Sequence, residues 1–141
     1  MKEVLANLYQ GSVPTWDEVL QHEIGFVIAL APGLPMPPPA ELPYMYWPIH
    51  DGPLPDIEML AVVARCAEQA LRADKRVLIH CAEGINRSSL VVGVILNVAF
   101  GLSGRAVVTA ITNVVPNALA NTVFREYLET LEHRPAIPYH P

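Results

Sequence analysis

The chain has 141 residues, 52% of them hydrophobic, and a formal net charge of −5 at pH 7. That length suits one domain with its own core and is short for two. The acidic balance argues against a general nucleic-acid or membrane-surface binder, and no apolar run approaches the length of a membrane span. The opening Met1-Lys2-Glu3-Val4 lacks a signal-peptide pattern. The two cysteines, Cys66 and Cys81, make no disulfide framework. An exposed reactive thiolate prefers a reducing compartment, so the expected location is the cytoplasm.

Residues 4–12 predict a short strand or two, with Gly11 as the turn. Thr15-Trp16-Asp17-Glu18 reads as a capping box opening a helix to about His22 or Glu23, with Gly25 past its end. Phe26-Val27-Ile28-Ala29-Leu30 is a continuous apolar run, expected as a central parallel strand. Residues 32–43 carry Pro32, Pro35, Pro37, Pro38, Pro39 and Pro43, which predict a stiff extended loop. Residues 44–49 return to strand. His50-Asp51-Gly52-Pro53-Leu54-Pro55-Asp56 is a rigid loop with two carboxylates, and Asp56 is placed to cap a helix over residues 57–73. The apolar face of that helix is expected to be Ile57, Leu60, Val63, Ala64, Ala67 and Leu71. Cys66, in the same helix, reads as a packing residue.

Residues 77–79 form a short buried strand by pattern, followed by the loop Cys81-Ala82-Glu83-Gly84-Ile85-Asn86-Arg87. Leu90-Val91-Val92-Gly93-Val94-Ile95-Leu96 is apolar on every side and predicts a buried helix. Strand, tight loop and helix start form the geometry of an anion cradle. The loop amides can turn inward as a nest, and the helix dipole adds positive potential. A thiol at the mouth of such a cradle is expected to be held as the thiolate. Arg87 offers a planar fork for two oxygens of a phosphate. Beyond this, Gly101 is a helix stop, Ser103 caps a helix over about residues 105–114, and Asn121 caps a last helix over about 122–131. In that last helix Phe124, Leu128 and Leu131 are expected to face the core. Residues 133–141 read as a frayed Pro-rich tail. The predicted fold is α/β, a single domain over residues 1–141. Its central, mostly parallel sheet has about four or five strands, with helices on both faces and the site at strand C-terminal ends.

The segment His80-Cys81-x5-Arg87-Ser88 resembles the signature loop of the cysteine-dependent protein tyrosine phosphatase superfamily. Three further features resemble the small dual-specificity phosphatases: the opening Leu8-Tyr9-x-Gly11-Ser12, the apolar strand after Gly25, and Asn121 followed by Phe124. The resemblance spans residues 5–131 apart from the Pro-rich loop. It implies hydrolysis of phosphomonoesters (phosphotyrosine, with phosphoserine and phosphothreonine) through a phosphocysteine on Cys81. Arg87 and the amides of Ala82, Glu83, Gly84, Ile85, Asn86 and Arg87 would bind the phosphoryl oxygens. The resemblance also implies that Ser88 stabilises the sulfur and that Asp51, after the strand ending at Ile49, is the general acid. Asp56 is the runner-up for that role and His50 a weaker candidate. His80 is expected to hydrogen-bond backbone and shape the loop. Two readings stand for Glu83: it turns away from phosphate and holds the Arg87 guanidinium, or it is a solvent-facing charge.

Arg87 is the only cation in the loop, and Thr112-Asn113-Val114-Val115 lacks arginines, so a singly phosphorylated protein or small phosphomonoester is the expected partner. No cofactor or metal is implied. Asn86 before Arg87 is similar to a pairing in RNA 5′-triphosphatases of the superfamily, which makes such an enzyme the catalytic alternative. A phosphate-binding pseudophosphatase is the non-catalytic one. A rhodanese-like sulfur carrier also uses a Cys-led loop, but the closing Arg87-Ser88 fits phosphate better.

Overall fold

The computed structural model describes residues 1–33, 38–39 and 41–135. Two of the sequence expectations, the Pro-rich loop at 34–37 and 40 and the tail at 136–141, lie outside the described residues there. The strands are β1 (Lys2–Leu5), β2 (Leu8–Gly11), β3 (Ile24–Ala29), β4 (Tyr44–Tyr46) and β5 (Arg76–His80). The helices are α1 (Trp16–Gln21), α2 (Ile57–Arg72), α3 (Arg87–Phe100), α4 (Gly104–Val114) and α5 (Thr122–Glu129). The five strands form one sheet in the order β1-β2-β5-β3-β4. All neighbours are parallel except the β1–β2 pair, which a hairpin makes antiparallel. This is the expected mostly parallel α/β sheet.

β5 sits at the centre because Val77, Leu78 and Ile79 are apolar on both sides and bury completely. It divides two cores. Leu78 joins Val27, Ile24 and Val19 under α1, while Val77 and Ile79 join Leu8, Ile28 and the residues of α2 to α5. Both faces are therefore covered, but unequally. Among the described residues the short α1 is the one helix over the first, with Leu42 beside it, and four helices pack on the other. α3 lies inside that layer, buried at every position from Ser88 to Asn97, and is flanked by α2, α4 and α5. Its uniformly apolar sequence has this cause.

Glycines mark the main corrections. Gly11 is the last residue of β2, and the turn is made at Ala6 and Asn7, with Asn7 at φ 68°. Gly25 is inside β3, and Glu23 at φ 55° ends the turn after α1. In α2, Ile57 is 41% exposed, whereas Glu68 is buried and held by Arg65 at 3.2 Å and Arg72 at 3.4 Å. The charged pair on Glu68 makes the burial tolerable. β4 ends at Tyr46, short of the expected Ile49, since Pro48 has no amide to donate. The chain nevertheless stays beside β3, with Trp47 N–H donating to Ala29 O and Ile49 N–H to Leu30 O, each at 2.9 Å. That extension delivers Asp51 to the C-terminal ends of β3 and β5.

Candidate active site

β5 runs directly into Cys81, whose backbone N–H donates to Gly11 O at 3.2 Å. The loop then turns back under its own sulfur. Gly84 N–H donates to Cys81 Sγ at 3.2 Å, and Ser88 Oγ lies 3.3 Å from the same atom. Gly84 has φ 71°, and a Cβ on it would stand 2.6 Å from the Gly11 carbonyl carbon, so only glycine fits. Asn86 occupies the N-cap position of α3 but makes no side-chain cap. The amides of Ala82, Glu83, Ile85 and Asn86 have no acceptor among the described residues. Free amides of this kind, together with a helix N-terminus, form an anion site.

Cys81 is 2% exposed, which corrects the expectation of an exposed thiolate. It lies in a pocket of about 120 Å³ lined by Asp51, Cys81, Ala82, Glu83, Ile85, Asn86 and Arg87. A small ligand would therefore reach the sulfur only through the pocket. Two larger hollows lie elsewhere, one by Asn7, Glu68 and Arg72 and one by Arg105 and Arg125.

Arg87 opens α3, and its Nη1 donates to Ile49 O at 3.2 Å. Glu83 does not hold it: Glu83 is exposed and forms no ion pair among the described residues. A carbonyl at the end of the β4 extension has taken that task. Asp51 is gripped at both oxygens. Asn86 Nδ2 donates to Oδ2 and Asn121 Nδ2 to Oδ1, each at 2.8 Å. Asn121 N–H donates to Asn86 Oδ1 at 2.9 Å, while its own Oδ1 caps α5 at Phe124 N. Three elements thus meet on one carboxylate at the pocket rim. Asp56 instead accepts Glu58 N–H at 2.9 Å and Met59 N–H at 3.1 Å as the N-cap of α2, and His50 is exposed.

His80 is buried, and its Nδ1 has no hydrogen-bond partner among the described residues. Burial pushes its pKa down to about 4, so the ring is neutral near pH 7. Among the described residues this side chain makes no loop-shaping hydrogen bond, contrary to expectation. A residue outside the motif makes such a bond: Gln10 Nε2 donates to Gly84 O at 3.1 Å and to Ser89 Oγ at 2.9 Å. One signal in the sequence pointed to it. Gln10 falls two residues after the buried Leu8 on an alternating strand, so a polar side chain faces the core. No group of three or more His, Cys, Asp or Glu side chains that could hold a metal ion occurs among the described residues. Nor is any described helix long and apolar enough to cross a membrane.

A sheet of this order, with a Cys-led loop leading into a buried helix, is shared with solved structures of dual-specificity phosphatases, and the chain has their fold. Human DUSP28 is similar over 92% of this chain and 95% of its own, with a TM-score of 0.82 and 21% identity. For DUSP15 the figures are 90% and 83%, 0.81 and 27%. Tk-PTP in its active form gives 91% and 95%, 0.78 and 25%. The family model of cyclin-dependent kinase inhibitor 3 matches residues 42–107, from just before β4 into α4. No curated protein matches the sequence.

Proposed function

We propose that this chain is a phosphatase that hydrolyses phosphomonoesters, phosphotyrosine first and phosphoserine or phosphothreonine as well, through a phosphocysteine on Cys81. One observation carries the reading: a sulfur in the pocket receives the Gly84 amide and touches the Ser88 hydroxyl, with Arg87 and Asp51 beside it. The likeness to DUSP15 and Tk-PTP supports the same chemistry.

In the first step the Cys81 thiolate attacks phosphorus, forming S–P as the ester P–O bond breaks. The leaving oxygen takes a proton from Asp51. The free amides of Ala82, Glu83, Ile85 and Asn86 and the Arg87 guanidinium hold the equatorial oxygens as their charge grows. In the second step water attacks the phosphocysteine, Asp51 accepts its proton, and the sulfur leaves as thiolate. The Ser88 hydroxyl donates to that sulfur as it departs. Asp56 serves its helix with both its bonds, which favours Asp51 for the proton transfers.

Asn86 is engaged by Asp51 and Asn121, so its presence needs no RNA end to explain it. Cys81, Arg87 and Asp51 standing together also count against a pseudophosphatase. A thiolate nucleophile works in a reducing compartment, which supports a cytoplasmic location for the chain. The partner is then a phosphorylated protein or small phosphomonoester.

The test is turnover on an aryl phosphate, a phosphotyrosine peptide, a phosphoserine peptide, a phosphoinositide and triphosphate-ended RNA. The first two should be hydrolysed fastest. Cys81→Ser should be inactive, and Asp51→Asn should lose about 10²-fold or more on the peptides. Phosphate bound without turnover, or activity surviving in Cys81→Ser, would overturn the reading. Faster release from RNA would transfer it to the RNA enzymes.

A further inference from the structure

The geometry points to Gln10 as the residue that sets the anion-receptive form of the Cys81 loop, by holding the Gly84 carbonyl on the side away from the pocket. The role is a positioning one and rests on the phosphatase reading above. A trans peptide carries its C=O and the following N–H on opposite sides. With the Gly84 carbonyl tied to Gln10 Nε2 at 3.1 Å, the Ile85 N–H is turned the other way, towards the pocket that Ile85 lines. The next peptide is treated alike: Ile85 O accepts Leu119 N–H at 3.0 Å, which turns the Asn86 N–H inward. Without a grip on these carbonyls, either peptide could rotate and present an oxygen to the phosphate, where it would repel.

Gln10 is well placed for the task and has no other. It is 1% exposed, on the face of β2 that meets α3, and its second bond anchors it to Ser89 at the start of that helix. Its Oε1 is buried with no partner among the described residues, a costly arrangement for a residue that only filled space. An apolar side chain of the same size would pack there without leaving an oxygen unsatisfied. The rest of the strand end works with it: Gly11 O accepts the Cys81 N–H, and the Gly11–Ser12 backbone sits where a Cβ on Gly84 would go. The end of β2 is therefore the mould of the loop, and Gln10 is its only side-chain hydrogen bond to the loop among the described residues.

Gln10→Met keeps length and bulk and removes both donors. Vanadate, which mimics the transferred phosphoryl group, is the probe. The variant should bind vanadate about tenfold more weakly and lose a similar factor in kcat/KM on an aryl phosphate. A side chain that only packed would lower the melting temperature and leave vanadate affinity within about twofold, and that result would overturn the proposal. If Gln10→Met does not fold, the wild-type protein decides by NMR. The Gln10 amide protons should exchange slowly, and the Ile85 amide signal should move when vanadate is added. Free exchange at Gln10, or an unmoved Ile85 signal, would equally overturn it. A wild-type protein that binds no vanadate removes the phosphatase reading itself. A Gln10→Met protein that binds it as wild type does removes only the role of Gln10.

Discussion

His80 and Cys81 are neighbours in the chain and opposites in chemistry. The imidazole is shut into the sheet with an unpartnered nitrogen, while the sulfur next to it meets an amide, a hydroxyl and the pocket. The burial of His80 has a measurable consequence. The folded chain protonates it only near pH 4, against 6.5 for an unburied imidazole. Between those values the unfolded state binds more protons, so stability must fall as pH is lowered from 6.5 towards 4 and change no further from this group below that. The loss amounts to about 3 kcal/mol at most. Melting temperatures measured across that window should fall less steeply for His80→Asn than for wild type. Parallel curves would show that His80 is not the group responsible. Asp51 shows a different economy. Two amide side chains hold both of its oxygens at the pocket rim, so its position is set before any substrate arrives.

At the scale of elements, the site depends on how α3 is seated. Its first residue is Arg87, and its second reaches the Cys81 sulfur, so a tilt of this helix would displace both. The seat is tight where α3 crosses α4 and α5. A Cβ on Gly93 would stand 2.6 Å from Leu128 Cδ2 and 3.0 Å from Val107 Cγ1. Gly93→Val should therefore destabilise the protein by about 1–3 kcal/mol through overpacking, lowering the melting temperature by several degrees. An unchanged melting temperature would mean that α4 and α5 yield more readily than this packing implies. α5 has a second duty, because its cap Asn121 also reaches Asp51. The last helix is thus connected to the rim of a pocket formed by residues far from it in sequence.

For the molecule as a whole, the features legible in the sequence were those made by near neighbours. The capping box of Thr15 and Glu18, the Asp56 cap on α2 and the αL stop at Gly101 each involve residues within a few positions of one another. The strand, loop and buried helix around Cys81 were legible for the same reason, and they fixed the fold class. Contacts across long separations left little mark. Gln10 meets Gly84 across 74 positions, and Asn121 meets Asp51 across 70. Asn121 was readable as a cap, and the Asn86 side chain only as a likeness to the RNA 5′-triphosphatases. Their shared carboxylate becomes visible once β4, the Cys81 loop and α5 are brought together. Glycine misled where it was read as punctuation: Gly11 and Gly25 lie in strands, and Asn7 and Glu23 take the positive φ angles. Of the two readings open for Glu83, the solvent-facing charge is the one observed, because the guanidinium found the Ile49 carbonyl beyond the end of β4.

The central claim is that the Cys81 sulfur carries the phosphoryl group during turnover. Asp51→Asn protein should accumulate that species, because the base for the second step is gone. Such protein, mixed with an aryl phosphate, quenched in acid and digested, should show a single phosphoryl group on the peptide containing Cys81, identified by mass spectrometry. Turnover by the wild-type protein with no phosphoryl group trapped on Cys81 in this variant, or with the group on another side chain, would contradict the account.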